Sequence, residues 1–278
     1  MLNKVCFLFF AATVAGCIYC PSVLVAGAYG QQKGHFFYSL QSYYYSTDQY
    51  IDEKSDRHDR GGTYTKFELN PYLEYGVTDK DTVTVNSFYN WLTDDAPGST
   101  RKTQGVTDLE IGWQHRILTG KNRVAAIHGM VIIPAGYSID DDPRLGYNRF
   151  GAEASLLYGQ SFKLSDKYGF VDLRLGYRDY LGYPSSQIRG NATVGYDILT
   201  RWQLLAAGDL QYGLKDGHGK QLGLNLQAQP NYRLLKLSLG ARFRINAQYS
   251  LVVGGYQHVW GEETGGGGGG YVSLWYSN

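Results

Sequence analysis

The chain has 278 residues, with 26 Lys and Arg against 25 Asp and Glu and a formal net charge of +1. Because phosphate binding needs a concentrated excess of Lys and Arg, this balance argues against a nucleic-acid partner. The 3 cysteines, Cys6, Cys17 and Cys20, all lie near the start of the chain. If that part is removed by processing, disulfides, a catalytic cysteine and thiolate metal sites are excluded together.

The first 28 residues have the pattern of a secretory signal peptide. A basic start precedes the apolar run Val5–Gly16, and Ala26-Gly27-Ala28 forms a small-residue cleavage site. Val14–Cys17 also resembles the lipobox of bacterial lipoproteins, so cleavage at Cys17 is an alternative to cleavage after Ala28. An uncleaved anchor is disfavoured, since proline and small residues interrupt the apolar run before the roughly 20 residues of a membrane-spanning helix. We predict export, with residues 1–28 as the signal peptide.

Beyond residue 30 the apolar residues recur at every second position, which predicts strands with one apolar and one polar face. Asp108–Ile117, which reads DLEIGWQHRI, shows the pattern, with its apolar residues expected outside and Asp108, Glu110 and Arg116 inside. Most predicted strands approach the roughly ten residues that cross a bilayer at a tilt. The twelve are at about 35–46, 63–75, 82–92, 105–118, 123–137, 148–162, 168–180, 187–198, 202–213, 231–245, 249–260 and 270–277.

The predicted connections alternate in length along the chain. Those expected to be long are 47–62, 93–104, 138–147, 214–230 and 261–269, with 181–186 shorter. Those expected to be tight are 76–81, 119–122, 163–167, 199–201 and 246–248. Long loops at one end and tight turns at the other are typical of outer-membrane barrels. Segment 214–230 could instead hold a further strand, which would break the even count.

Aromatic residues such as Trp91, Trp113 and Trp202 fall mostly toward strand ends, where amphipathic rings occupy the lipid–water boundary. Together with strand length and loop alternation, this predicts an all-β protein. We expect residues 29–278 to form a transmembrane antiparallel β-barrel of about 12 strands, located in the outer membrane of a Gram-negative bacterium. The alternative is a soluble β-protein, which would bury two apolar sheet faces against each other.

The polar faces of the strands are expected to line the lumen, because charged side chains facing lipid near the bilayer midplane cost about 2–4 kcal/mol. An arginine cluster of Arg149, Arg174, Arg178 and Arg189 favours mild anion preference in a hydrated pathway. For any single residue, cross-strand pairing that holds the barrel together is the alternative role. The candidate lumen and selectivity residues are Asp108, Glu110, Arg116, Arg149, Glu153, Asp172, Arg174, Arg178, Arg189 and Arg242.

No motif indicates catalysis, a metal site or a cofactor. The acid-rich stretch Asp140-Asp141-Asp142 lacks the spacing of a calcium loop and is expected to be a solvated external loop. The run Gly265–Gly270 lacks the Lys-Ser/Thr of a phosphate-binding loop and is expected to be flexible. His128 and His258 have no accompanying nucleophile motif, so an enzyme with a site at the barrel rim is only an alternative.

Several strand and turn signatures resemble a family of outer-membrane barrel proteins described as transporters of the MetA pathway of phenol degradation. They are Tyr72–Asp79 (YLEYGVTD), Gly105–Gly112 (GVTDLEIG), Ile133–Gly136 (IPAG), Leu175–Arg178 (LGYR) and Val272–Tyr276 (VSLWY). The resemblance covers nearly all of the mature chain and implies the barrel fold and uptake of aromatic compounds, without defining a binding site. Barrels of this family usually end on an aromatic residue, whereas here Trp275 and Tyr276 stand just before Ser277 and Asn278.

The sequence thus favours a passive, porin-like channel or transporter for small molecules, with outer-membrane lipids and the barrel-assembly machinery as partners. One alternative is a structural or adhesive surface barrel with a plugged lumen, which would act through the predicted loops 47–62 and 214–230. The identity of the permeant is not encoded in any motif. Whether solutes pass depends on how far inward-facing side chains fill the lumen.

Overall fold

The computed structural model describes residues 27–217 and 229–278, in which all regular structure is β-strand. Cys17, most of the predicted signal peptide and residues 218–228 of the uncertain segment 214–230 lie outside the described residues. The strands are β1 Phe36–Ile51, β2 Arg57–Gly76, β3 Asp81–Ala96, β4 Ser99–Thr119, β5 Arg123–Pro134, β6 Gly151–Leu164, β7 Lys167–Asp179, β8 Gln187–Asp197, β9 Trp202–Gly213, β10 Arg233–Arg244, β11 Tyr249–Glu262, β12 Thr264–Gly265 and β13 Gly268–Ser277.

In the described ranges, no helix has both the length and the apolar composition needed to cross a membrane.

The strands close into a barrel through β1. Each strand from β1 to β11 pairs antiparallel with its neighbour in the chain, and β1 also pairs with β13, so that Phe37 lies opposite both Glu74 and Ser277. The two-residue β12 continues the line of β13 and pairs with the end of β1, with Gly265 opposite Tyr50. The barrel wall therefore has twelve strand positions, which confirms the predicted fold.

The two faces of the wall differ as the period-two pattern predicted. Leu175 and Leu239, at 59% and 72% exposure, lie on the outer surface, whereas Glu153 and Asp172 are buried inside. In β4, Ile111 is exposed outside. Alternate residues of a strand point to opposite sides, so one sequence period creates both the apolar outside and the polar lumen.

The end of the barrel that we call the turn end has five tight connections, as predicted: 77–80, 120–122, 165–166, 198–201 and 245–248. The opposite, or loop, end differs in part from the prediction. The expected long loops 47–62 and 93–104 are tall hairpins, joined only at 52–56 and 97–98. Charged residues such as Asp59, Asp94 and Arg101 occur in these extensions without ending the backbone ladder, since backbone pairing does not require apolar side chains. The connections 135–150 and 214–232 are long.

Exposed aromatic residues lie toward both ends of the outer surface. Trp113 and Trp202 lie toward the turn end, and Phe67, Trp91 and Tyr177 lie toward the loop end. Such rings are suited to the two interfaces of a bilayer, where an apolar body and a polar edge meet lipid and water together. This arrangement agrees with the prediction made from strand-end aromatics.

The run Gly265–Gly270 is not the flexible loop that the sequence suggested. Its last residues belong to β13 and pair with β1 and β11, with Gly269 opposite both Tyr45 and Tyr256. A side chain on Gly269 would overlap the carbonyl oxygen of Tyr44, and Tyr256 donates its hydroxyl to that same oxygen at 2.9 Å. Glycine is needed where β1 and β13 close the barrel, because two backbones and a tyrosine meet there.

Candidate lumen site

A cavity of about 590 Å³ occupies the lumen, lined by side chains of strands β1–β4 and β6–β11 and by residues of the 135–150 connection. Its charged lining consists of six cationic side chains and five carboxylates. Both signs are therefore present in nearly equal number. The predicted lumen residues that meet at this cavity are Asp108, Glu110, Glu153, Arg174, Arg178 and Arg189.

The other four predicted residues lie elsewhere. Arg149 is exposed in the 135–150 connection, because β6 begins only at Gly151, so its assignment to the lumen is corrected. Arg116 and Asp172 face inward near the turn end, where they contact the segment before β1. Arg242 is buried beside Trp275, with its guanidinium 5.1 Å from the ring centroid.

Glu153 joins several strands into one ionic network. Its carboxylate, almost fully buried, pairs with Arg174 and accepts from Nε of Arg178 at 2.7 Å. Arg178 also reaches Glu110 Oε1 at 3.0 Å, and Ser155 donates its hydroxyl to Glu153 at 2.7 Å. Because two carboxylates face these two arginines, the charges of Arg174 and Arg178 are compensated within the wall, whereas the other two members of the predicted arginine cluster, Arg149 and Arg189, are not part of this network. The network connects β4, β6 and β7 along one side of the barrel interior.

One wall of the cavity is aromatic, a feature that the sequence analysis missed. The rings of Tyr43 and Tyr256 stack at 4.4 Å between centroids, and those of Tyr45 and His258 stack at 4.8 Å. The signal was present in Tyr43-Tyr44-Tyr45, since three consecutive tyrosines in a strand must place two on one face. Tyr44 is the one that points outward.

The 135–150 connection folds into the barrel and forms the cavity wall at the loop end. Leu145 and Tyr137 belong to a buried cluster with Tyr45 and Tyr64, so the connection is anchored by apolar contacts. The Tyr137 hydroxyl donates to Asp108 Oδ1 at 2.6 Å. Burial raises the pKa of the Tyr137 phenol above its ordinary value, and the nearby Asp108 carboxylate adds to the rise. The phenol therefore stays protonated and remains a donor.

A second ionic cluster fixes this connection at the rim. Asp94, almost fully buried, accepts from Arg60 at 2.7 Å and also pairs with Arg101. Arg101 in turn reaches Asp142 Oδ2 at 2.7 Å. Asp142 belongs to the acid-rich stretch considered for calcium, and here its carboxylate has a guanidinium partner. The pairs attach the connection to the tall β3–β4 hairpin.

Segment 27–33 begins inside the lumen at the turn end and leaves it at Gln32 and Lys33, which are exposed. The backbone N–H of Ala28 donates to Asp172 Oδ2 at 3.1 Å, and the Gln31 amide donates to Glu74 Oε2 at 2.7 Å. Gln114 donates to the carbonyl of Ala28 at 3.1 Å, and Arg116 donates to that of Tyr29. These partners come from β2, β4 and β7, so the segment crosses much of the barrel. It narrows the lumen on the side away from the 590 Å³ cavity.

The two histidines considered for a rim enzyme have structural partners. His128 Nε2 lies 3.1 Å from Thr84 Oγ1, and His258 Nδ1 lies 2.8 Å from the carbonyl of Gly265. The hydroxyl of Ser155, which is opposite His128 in the sheet, donates instead to Glu153. In the described part of the chain, no group of three or more His, Cys, Asp or Glu is arranged to hold a metal ion.

Comparisons with known proteins establish the fold. The chain is similar to a crystal structure of an outer membrane channel from Pseudomonas putida F1, with 15% identity and a TM-score of 0.66 over 92% of this chain and 99% of that one. It is also similar to the NanC porin, with 6% identity and a TM-score of 0.53 over 86% of this chain and 98% of the porin. At such identities the likeness shows the fold alone, a closed antiparallel β-barrel like those of these outer-membrane proteins.

No family model matches the chain, and a comparison with curated proteins finds no match. The resemblance to the phenol-degradation transporters therefore stays a prediction.

Proposed function

We propose that the protein is an outer-membrane channel through which small solutes diffuse. The observation that carries the proposal is the 590 Å³ cavity with its charged lining, enclosed by a wall whose outer surface is apolar. Side chains of both signs inside such a wall need water around them, since isolated charges in a dry interior are costly. A hydrated lumen is what passive solute transfer requires.

The proposed location is the outer membrane of a Gram-negative bacterium. The outer surface has two bands of exposed aromatic rings, and exposed leucines such as Leu175 and Leu239 lie between the bands. This arrangement suits a bilayer, which has an apolar core between two interfaces. Lipids and the barrel-assembly machinery are the proposed partners. Residues 1–28 are proposed as the export signal, cut after Ala28 or, as the alternative, at Cys17.

The charge of the lining favours small anions slightly, because its cationic side chains outnumber its carboxylates by six to five. Aromatic solutes are suggested only by the family resemblance. Electrostatic preference in a pore depends on charges that are free to meet the solute, and pairs such as Arg178 and Glu153 largely cancel. A modest selectivity is therefore proposed.

Planar-bilayer recording of the purified full chain tests the proposal. We expect single-channel current steps, with a reversal potential in a potassium chloride gradient that shows weak preference for chloride. A barrel that inserts and carries no current, with or without segment 27–33, would contradict the channel. It would instead favour a surface protein with a plugged lumen, for which residues 29–33, the part of the segment that remains after cleavage at Ala28, are the supporting observation.

A further inference from the structure

Two cationic side chains at the cavity have no carboxylate within ion-pair distance among the described residues. They are Arg189 on β8 and Lys236 on β10. Arg189 donates only to the amide oxygen of Gln187, at 3.0 Å. Asp209 lies between them on β9, opposite Lys236 in the sheet. Its carboxylate interacts electrostatically with both cations but forms no ion pair with either, and it accepts from the Gln211 amide at 3.2 Å. Arg189 and Lys236 thus differ from Arg174 and Arg178, whose charges Glu153 and Glu110 together compensate.

Lys236 is held by rings. Its ammonium lies 5.6 Å from the ring centroid of Tyr43 and 5.8 Å from that of Tyr256. An ammonium group beside aromatic rings keeps its positive charge. Its three N–H donors also remain available to another acceptor, because a cation–π contact is not a conventional hydrogen bond. Lys236 is therefore positioned to receive an oxyanion.

A smaller cavity of about 190 Å³ adjoins the first and shares Tyr43, Tyr256 and Lys236 with it. Leu205 and Val252 contribute apolar surface to its wall, as does Trp275. The shared residues thus separate a charged compartment from a more apolar one. A pocket with an apolar wall and a few convergent charges is typical of a site for a small organic ligand.

We propose that this boundary is a binding site for a small organic acid. Its carboxylate would meet Arg189 and Lys236, and its compact apolar body would lie in the smaller cavity against the two tyrosines. We call Arg189, Lys236 and the 190 Å³ cavity together the acid site. The proposal rests on the proposed channel for its biological meaning, since the acid is the solute that the channel would carry.

Binding can be measured without conduction. The probe is cyclohexanecarboxylate, titrated into the full chain in detergent micelles at constant ionic strength and followed by isothermal calorimetry. Cyclohexylmethanol, which has the ring and no charge, and inorganic phosphate, which has the charge and no ring, are the matched probes. We expect saturable binding of the acid only, with each matched probe at least about tenfold weaker, since each loses one class of contact.

Two substitutions test the two halves of the site. Arg189→Gln is expected to weaken binding of the acid about tenfold to a hundredfold, the range of one charge-assisted hydrogen bond. Ala207→Leu, which places a larger side chain in the smaller cavity, is expected to remove binding of the ring acid. Arg244→Gln is the charge-matched control, because Arg244 pairs with Asp197 near the turn end and does not line either cavity. Circular dichroism confirms folding of each variant.

The outcomes separate this proposal from the channel itself. Equal binding of the alcohol, or unchanged binding in Arg189→Gln, would overturn the acid site. Phosphate binding as tight as the acid would overturn the role of the apolar cavity. Conductance without saturable binding would support the channel and overturn the acid site. Saturable binding without conductance would support the acid site and overturn the channel.

Discussion

The backbone N–H of Ala28 and the carboxylate of Asp172 form a hydrogen bond of 3.1 Å inside the lumen, although 144 positions separate them in the chain. A donor that crosses from the chain before β1 to β7 can be held only if the intervening segment lies within the barrel. Asp172 therefore anchors this segment as long as Ala28 stays in the chain. The buried carboxylate gains a hydrogen-bond partner that the strands alone do not supply. Cleavage of the export signal after Ala28 would remove that contact and leave residues 29–33, held through Tyr29 and Gln31, as the plug.

Replacing residues 29–33 by a glycine–serine sequence of equal length is expected to raise single-channel conductance severalfold. The hydrogen bond from the side-chain amide of Gln31 to Glu74 would be lost, and the turn end of the lumen would widen. Planar-bilayer recording measures the change. The same replacement of residues 52–56, a five-residue hairpin tip outside the lumen, is the control and should leave conductance unchanged. Equal conductance of both variants would show that the segment is not the constriction.

Glu153→Gln is expected to reduce the free energy of unfolding by about 3–5 kcal/mol, since it leaves two inward-facing guanidiniums without their shared carboxylate. Urea unfolding in lipid vesicles provides the measurement. Asp48→Asn removes a charge from an exposed strand position and should change stability by less than about 0.5 kcal/mol. In the double variant with Arg178→Gln the loss should be smaller than the sum of the two single losses, because the residues are coupled.

The strand faces were predictable because their signal is local. Glu110 and Glu153 each lie between apolar neighbours at period two, and that spacing alone assigns them to the lumen. Arg149 shares the residue type but lies just before the strand, and strand boundaries carry a weaker signal than strand interiors. Glu153 lies directly opposite Arg178 in the β6–β7 hairpin, so that pairing follows from the hairpin register. The contact of Arg178 with Glu110 was not predictable, since it depends on how the closed barrel brings β4 and β7 together.

The plug and the inward-folded connection were also beyond the sequence. Ala28 belongs to the predicted cleavage site and Tyr137 to the end of a predicted strand, and neither assignment indicates its place in the lumen. Their positions depend on Asp172 and Asp108, which lie on other strands. The tall hairpins were missed for a different reason. Charged residues such as Asp59 and Arg60 remain in the strand ladder, because backbone pairing continues after the apolar alternation has ended.

Gly269→Ala is expected to destabilise the barrel by about 1–3 kcal/mol, the usual cost of forcing a methyl group into a packed site. The new methyl would overlap the Tyr44 carbonyl, so β1 and β13 would have to separate. Urea unfolding is again the readout. Gly129→Ala is the matched control, because a methyl there meets no atom within 4 Å. Equal stability of the two variants would indicate that the strands separate at no cost.

Leu239→Arg tests whether the outer surface meets lipid. Leu239 lies near the middle of β10 and is 72% exposed, so it should face the bilayer core, where arginine costs about 2–4 kcal/mol. Leu181→Arg is the control, because Leu181 is 86% exposed but lies in the 180–186 connection, where water solvates the charge. Unfolding measured in lipid vesicles should separate the two variants by at least about 2 kcal/mol. If the free energies of unfolding were equal, β10 would not span the bilayer, and the soluble β-protein would become the better interpretation.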